Sequence, residues 1–586
     1  METINDVHLQ FANYFHAREI APYLYLLSQK MEEGSTCLDL SDIEKGVQEN
    51  FPFDLKHYSI EKLLSNSIVD TTKAILDKPF VLDNGRLYFQ RYYQYEANLI
   101  EKIKSIVENG EAQFSERIGQ MSLLKNDFLR LFPKDSDKTD WQKIAAFFAL
   151  LNDFTIITGG PGTGKTTTVS KILELCLLVN PDSTIALAAP TGKAAARMTE
   201  SLRNAAKGLN VSVQEKFAQL KPATLHRLLG TIKDSLYFKH DKNNPLNYNI
   251  IVVDECSMID IALFSKLLDA IGSHTKLILL GDKDQLSSVE VGSLFGDLCK
   301  TVTHLNNFSQ EKVEAVATFF ENEKGRVNTI NDFLQNNIVE LKESRRFDKN
   351  KGIGKLADAV LFNRQTQLES LLHDSAENQI QFDFDHSETV WKNFAKKYID
   401  YIQETDIVKA LHLLDQQRIL CAVRDGEFGT RRLNQKIEDY LSSLNHLSRK
   451  DNFYENRPIM VTENNYELGL YNGDIGILRN DDGVMKAWFL DSDNKETGLK
   501  SVLPGLISNI DTVFAMTIHK SQGSEFNHVM IVLPDNNRST QILTREILYT
   551  AITRAKEFVL VAASEQTIKE TAERQVQRSS GVSSRL

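Results

Sequence analysis

A chain of 586 residues with a formal charge of −11, 42% hydrophobic and 25% charged residues, has the make-up of a soluble globular protein of about four domains. No apolar run approaches the ~18 residues a membrane span needs, and the polar, acidic opening METINDVHLQ is not that of a secretion signal. The acidic balance argues against a broad basic surface for nucleic acid but leaves room for a local groove, because phosphate contacts follow local potential.

Residues 1–125 read as a separate helical domain. One helix opens at Glu19-Ile20-Ala21-Pro22-Tyr23-Leu24, and Ser59 to Ser65 suggests another. Asp83-Asn84-Gly85 between Phe80-Val81-Leu82 and Leu87-Tyr88-Phe89 predicts a hairpin. Tyr88, Tyr92, Tyr93 and Tyr95 can be read as a base-stacking platform, but a packed hairpin and helix is the more ordinary use of such a cluster. No catalytic pattern falls in this region, and its size suggests partner docking.

From 126 to 340 the pattern becomes α/β, with buried strands expected at Phe154–Thr158, Ile185–Ala189, Ile250–Val253 and Leu277–Leu280. Alternation with helical stretches implies a mostly parallel sheet with its chemistry at the strands' carboxyl ends. The first strand runs into Gly159-Gly160-Pro161-Gly162-Thr163-Gly164-Lys165-Thr166-Thr167-Thr168, which fits G-x-x-x-x-G-K-[ST]. Downstream, Val169, Ile172, Leu173, Cys176 and Leu177 recur at helical spacing. A bare glycine turn needs neither flank; strand, loop and helix together aim backbone N–H groups and a positive helix end at phosphates. Lys165 would reach the β/γ-phosphates, and the Thr166 hydroxyl would ligate Mg²⁺.

Ile250–Val253 ends in Asp254-Glu255. On its own an acidic pair after a strand is an ordinary loop start. Beside a phosphate loop, Asp254 would hold Mg²⁺, directly or through water, while Glu255 orients and deprotonates an attacking water. Gln285, beyond the neighbouring strand, stands where a side chain can touch both γ-phosphate and water. The polar stretch 305–340 is expected to be helical, without a role.

A second α/β set covers 341–425 and 511–570, with strands at Ile419–Val423, Thr512–Met516, Val529–Leu533 and Phe558–Ala562. Between them, 426–510 contains short strands at Pro458–Val461, Gly476–Leu478, Ala487–Leu490 and Leu499–Leu503, turned by Asn472-Gly473-Asp474 and Asp481-Asp482-Gly483. A small β-barrel inserted into the second α/β domain fits this texture. Residues 571–586, ending RSSGVSSRL, read as a flexible tail. Five cysteines (Cys37, Cys176, Cys256, Cys299, Cys421) stand far apart without a C-x-x-C pair, which speaks against a zinc or disulfide framework and for a reducing cytoplasm.

Seven segments in order resemble the motifs of superfamily 1 helicases. They are Gly159–Thr168; Ala189-Pro190-Thr191-Gly192-Lys193-Ala194-Ala195; Asp254-Glu255-Cys256-Ser257-Met258; Gly281-Asp282-x-x-Gln285-Leu286; Ser344-Arg345-Arg346-Phe347; Thr517 to Phe526; and Tyr549 to Lys556. With Thr224 to Gly230, the N-terminal region and the RSSG tail, nearly the whole chain is similar to the RecD family of the SF1B group, the α subunits of exodeoxyribonuclease V (RecBCD). That resemblance implies two RecA-like P-loop domains, a helical N-terminal domain and a small SH3-like β-barrel in the second RecA-like domain.

It also implies roles by position. Gln142 matches the glutamine that reads adenine, and Glu525 is expected at the ribose. Arg346 and Arg554 match two arginines that approach the γ-phosphate from the second domain; Arg345 leaves the first open by one residue, and S-x-R-F spacing favours Arg346. Thr191, Lys193, Thr224, His226, Thr517, His519 and Ser521 match positions that hold single-stranded DNA. The implied activity is an ATP- and Mg²⁺-dependent 5′→3′ DNA helicase working with RecB and RecC on duplex ends in double-strand-break repair, with nuclease activity in a partner. The alternatives are a stand-alone SF1B helicase and a non-catalytic P-loop scaffold. The first 125 residues lack helix-hairpin-helix repeats of the free-standing type, and Lys165, Glu255 and Arg554, which decay would remove, are all present.

Overall fold

The computed structural model describes residues 6–43, 51–54, 59–72, 77–133, 139–320, 326–327, 330–374, 377–449, 451–465, 467–491, 494, 497–535 and 542–586. Two parallel sheets dominate it. The first has six strands in the order Ile338–Glu340, Phe154–Thr158, Lys276–Gly281, Ile250–Val253, Ile185–Ala189, Pro222–Thr224, every neighbouring pair parallel. The second has five, also parallel: Ile380–Asp383, Ala555–Ala562, Phe526–Val532, Gln417–Cys421, Ala515–Thr517. Central strands such as Ile250–Val253 are buried throughout, because helices cover both faces of a parallel sheet.

In these two sheets the strands that pattern alone did not reveal are three edges, Pro222–Thr224, Ile338–Glu340 and Ile380–Asp383. The expected strand Thr512–Met516 is divided: Ile510–Thr512 pairs with Pro458–Val461 in an antiparallel sheet, while Ala515–Thr517 joins the second parallel sheet. Among the described residues of the stretch 305–340, only Gln310–Phe319 is a helix of more than one turn and Ile338–Glu340 is a strand; 321–325 and 328–329 lie outside the described residues.

The insertion forms a five-stranded antiparallel sheet in the order Leu499–Val502, Val484–Leu490, Ile475–Asp481, Pro458–Val461, Ile510–Thr512. Asp482 (φ 50°) and Gly483 (φ 84°) make its tight hairpin turn. Ile459, Val461, Leu478, Ala487, Phe489 and Val502 fill a core of its own. The helix Thr430–Ser443, within the same insertion, instead packs Leu433, Ile437 and Leu441 against Ile419 and Tyr398 of the second parallel sheet's layer.

The N-terminal region is mixed rather than helical. Cys37–Asp39 pairs with Arg86–Phe89 across a long sequence separation, giving a four-stranded sheet around the expected hairpin. Asn84 (φ 48°) and Gly85 (φ 73°) supply the turn. The region is also not packed apart from the rest. The helix Gln90–Ala112 buries Leu99, Ile103 and Ile106 in the same core as Ile156, Ile251 and Leu279.

The tail is docked, which corrects the expectation of a flexible end. Thr36 N–H donates to the Ser579 carbonyl at 3.0 Å, and Gly581 N–H donates to Glu96 Oε1 at 3.2 Å. Arg585 pairs with Glu96 at 3.4 Å and stacks 4.7 Å from the Tyr93 ring centre. Val582 is fully buried. Glu96 is itself buried, and desolvation pushes its carboxyl pKa up against the hydrogen bonds and Arg585 that pull it down. A polar, small-residue tail docks because a buried acid on a distant helix needs partners. A Cβ on Gly581 would lie 2.1 Å from Tyr88 Oη and 2.9 Å from Glu96 Oε2. Gly581→Ala is therefore expected to free the tail, read as faster limited proteolysis beyond Arg574; an unchanged cleavage rate would refute the docked arrangement.

Candidate active site and inter-lobe groove

The strand Phe154–Thr158 delivers the glycine loop to the edge of a cleft, and Gly164 (φ 85°) turns it into the helix Lys165–Val179. Gly162 has φ 77°, and a Cβ there would stand 2.4 Å from Arg346 Cβ; one on Gly164 would stand 2.4 Å from Gln142 Nε2. Both positions need glycine for backbone angle, and Gly162 for room as well. Lys165 Nζ donates to the carbonyls of Gly159 (2.6 Å) and Gly160 (3.3 Å). The cleft wall brings together Pro161, Gly162, Thr163, Gly164, Lys165, Thr166 and Thr167 with Asp254, Glu255, Gln285, Arg346, Glu525 and Arg554. Segments up to nearly 400 residues apart thus meet on one cavity.

Burial, and then the neighbouring Glu255, raise Asp254 to about 6, with Lys165 pulling the other way. Glu255 sits at φ 52°, in the left-handed region, with its N–H on Asp254 Oδ1 at 2.8 Å. For a glutamate this is a costly backbone conformation, held here at the strand end on the cleft wall. Asp282 is likewise raised to about 6 by burial and by Asp284, against Lys165. It accepts from Tyr549 Oη at 3.2 Å and Gln285 Nε2 at 3.1 Å. Gln285 Oε1 and Arg346 Nη1 are buried without a hydrogen-bond partner. A cradle of small residues under an unsatisfied guanidinium donor and an unsatisfied amide acceptor, with a hydroxyl and a buried carboxylate alongside, fits a polyphosphate with its divalent cation and a water.

Arg346 comes from the connector between the sheets rather than from the second sheet itself. Ser344 Oγ donates to the Pro161 carbonyl at 2.9 Å, and Arg345 N–H to Gly162 at 2.9 Å. That places Arg346 on the loop and leaves Arg345 as the residue whose backbone fastens it. Arg554 is 3% exposed. Its Nε donates to the Thr550 carbonyl and its Nη1 to that of Ser524, both at 3.2 Å.

Glu525 is bridged by Arg346 Nη2 at 2.7 Å and, on its other oxygen, by Arg197. Burial works to raise its pKa, but the two guanidiniums prevail and hold it at about 2. Arg197 also donates to Gly523 at 3.0 Å. It lines the cleft and was missed in the sequence, where it follows Lys193 by one helical turn. Gln142 stands beside the loop, its Nε2 on the Thr163 carbonyl at 2.9 Å, but it is not among the residues forming the cleft wall.

A second depression separates the two sheets from the insertion. Thr191, Lys193, Thr224, His226 and His519 line it, together with Asn464, Asn472 and Gly473 of the insertion. The insertion's asparagines carry no local signal, and only folding brings them here. Thr191 and Thr224 are N-caps, accepting from Ala194 and Arg227 N–H at 3.2 Å each, so two helix starts open on the groove. A Cβ on Gly192 would lie 2.9 Å from Tyr471; the insertion approaches the first sheet that closely. Burial lowers Lys193, His226 and His519. Two predicted groove residues are placed otherwise. Ser521 is fully buried and donates to the Ile518 carbonyl at 2.6 Å, closing its own turn. Thr517 accepts from Lys520 N–H at 3.3 Å and is not among the groove residues.

Residues 142–291 match the AAA domain family model, and 512–562 match the UvrD-like helicase C-terminal domain. The RecBCD enzyme subunit RecD of Haemophilus influenzae is 35% identical, over 86% of this chain and 80% of its own length. That of Mycobacterium tuberculosis is 34% identical over 95% and 89%. The ATP-dependent RecD2 DNA helicase of Deinococcus radiodurans is 26% identical over 72% of this chain but only 48% of its own. Bacteroides Pif1 bound to single-stranded DNA aligns with 74% of this chain and 93% of its own at 18% identity, with a TM-score of 0.35, too loose to argue from.

Proposed function

Since the chain belongs to the RecD family, we propose that it is the ATP-driven 5′→3′ DNA helicase motor of a RecBCD-type helicase–nuclease, assembled with RecB and RecC subunits on DNA ends. The observation that carries this reading is the cleft itself: Lys165, Asp254, Glu255 and Gln285 of the first sheet line one cavity with Arg346 of the connector and Glu525 and Arg554 of the second sheet's layer. ATP is the substrate held there. The loop N–H groups and the N-terminus of the helix Lys165–Val179 cradle its phosphates. Lys165 leaves its loop carbonyls for the β/γ-phosphates. Gln142 is assigned to adenine and Glu525 to the ribose, with Arg346 and Arg197 holding its carboxylate in place.

Thr166 and Asp254 are the residues to hold Mg²⁺, whose bound charge offsets that of the phosphates. Glu255 takes the proton of the attacking water, Gln285 positions that water, and Arg346 and Arg554 meet the negative charge that builds on the γ-phosphoryl group. Hydrolysis is coupled to motion because both banks are needed. Thr550 accepts from Leu286 N–H at 2.9 Å, and Gln522 donates to the Leu286 carbonyl at 2.7 Å. A shift of one lobe therefore moves the other's hydrolysis loop. Differential grip on the strand in the groove by open and closed forms converts this to movement. We read the insertion as an SH3-like barrel forming one wall of that groove, and the N-terminal sheet and helices as the partner-docking unit. No helix among the described residues is long and apolar enough to cross a membrane.

The test is an unwinding assay with the purified chain, and with the chain in its native assembly, on duplexes bearing 5′ or 3′ single-stranded tails. Single-strand-stimulated ATPase and preference for 5′ tails are expected. A chain without stimulated ATPase in either form would overturn the motor reading; preference for 3′ tails would overturn the polarity alone.

A further inference from the structure

The tyrosines of the hairpin–helix junction divide into two sets. Tyr88 and Tyr93 are 1% and 6% exposed and pack edge-on in the core, ring centres 5.4 Å apart. Tyr92 and Tyr95 are half-buried on the other side of the helix Gln90–Ala112, with ring centres 6.2 Å apart. Arg91 Nε donates to Tyr95 Oη at 2.9 Å, and its guanidinium lies 5.5 Å from that ring's centre.

Opposite stands the excursion that follows the helix Leu225–Leu229, in which Thr231 and Phe238 bridge antiparallel. It holds out Leu236 and Tyr237, 70% and 77% exposed. Phe238 packs 5.8 Å from His226, a groove residue. Lys266 lies 5.3 Å from the Phe238 ring centre and donates to the Leu236 carbonyl at 2.7 Å, which fixes the tip. The two sets share a support: the helix Ile261–Asp269, which carries Lys266, packs on the helix Gln90–Ala112, and Tyr92, Tyr95 and Phe238 lie against one common core. Arg91 feels the charge of Tyr92 and Tyr237 across this junction, and Tyr92 that of Asp260 and Glu290 on the groove wall. Asp260 is committed as a helix cap, accepting from Leu263 N–H at 2.9 Å.

A row of rings interleaved with cations thus leads away from the His226 end of the groove. We propose that Tyr92, Tyr95 and Tyr237, with Arg91 between them, form a base-stacking platform that continues the path of a single nucleic-acid strand beyond His226. This rests on the reading of the groove as a strand-binding site. Stacking suits a motor that must accept any sequence, since every base has a π-face, and cations between rings meet the backbone phosphates. Leu236 and Tyr237 stand exposed side by side on a tethered tip, outside the core.

The experiment is fluorescence anisotropy with the full chain, using oligothymidylates that fill the groove alone or also reach the platform, and long strands with abasic sites in the extension. Tyr237→Ala, and Tyr92→Ala with Tyr95→Ala, are each expected to weaken long-strand binding on the order of 10-fold, with short-strand affinity unchanged and Phe at each position restoring it. Abasic sites should weaken the wild type more than either Ala variant, since each variant has already lost part of the stacking. Because Tyr237 is exposed, its variant keeps the fold even if Tyr92 and Tyr95 contribute to packing. Equal long-strand affinity in Tyr237→Ala and wild type, or an equal loss on abasic strands, would overturn the platform. Loss of a co-purifying subunit with strand affinity intact would also overturn it and mark the patch as a protein contact. A wild type that binds no single strand at all would instead sink the groove reading beneath it.

Discussion

Arg554→Ala is expected to slow single-strand-stimulated ATP hydrolysis by about 10³-fold or more, the range an arginine supplied across a phosphoryl-transfer cleft is worth. The structure gives the reason for the size of the effect. Arg554 is held by the Thr550 and Ser524 carbonyls, so its orientation is set before nucleotide arrives, and a preorganised cation costs no rearrangement during the reaction. Arg554→Lys keeps the charge but loses the fork that grips both carbonyls, and is expected to recover only a small part of the rate. Nucleotide affinity should change far less than turnover, because the loop and helix N-terminus remain. The measurement is steady-state ATPase at saturating oligonucleotide, beside binding of a fluorescent nucleotide. Arg554→Ala hydrolysing within tenfold of wild type would remove it from the reaction.

Lys165→Gln is the second large effect, expected to cost roughly 10²–10³-fold in hydrolysis, as for loss of one donor to developing charge, and to abolish unwinding by this motor. The ammonium rests on the Gly159 and Gly160 carbonyls, and glutamine is shorter and uncharged. Partner binding should survive, since Lys165 lies in the cleft and far in sequence from the N-terminal sheet. Retained stimulated ATPase in the purified variant would sink the active-site assignment, and loss of partner subunits would show that the variant had misfolded rather than lost chemistry.

Legibility along the chain followed burial. Phe154–Thr158, Ile185–Ala189 and Ile250–Val253 were predicted to the residue because central strands of a parallel sheet are apolar on both faces. Pro222–Thr224 and Ile338–Glu340 were not, because an edge of three residues with one partner leaves almost no compositional trace. The strand read at Thr512–Met516 has the right texture, but its halves serve two sheets, which no local pattern announces. The tail RSSGVSSRL looks unstructured from composition alone; its order comes from Glu96 and Tyr88, nearly five hundred residues away.

The cleft chemistry was legible as residue types at fixed spacing. A loop that must wrap phosphates needs its glycines, lysine and threonine in one short run, and an acidic pair must end a strand to reach them. That much the sequence determined unaided, together with the order of its motifs and the family they resemble. Tertiary structure alone decided that Arg346 rides on the connector, that Arg197 shares Glu525 with it, and that Ser521 turns inward. It also decided that asparagines of the insertion wall the groove. The physical reason is one of range: spacing along a chain encodes what a single turn or strand end can do, whereas which distant side chains share a carboxylate is settled by how whole layers pack.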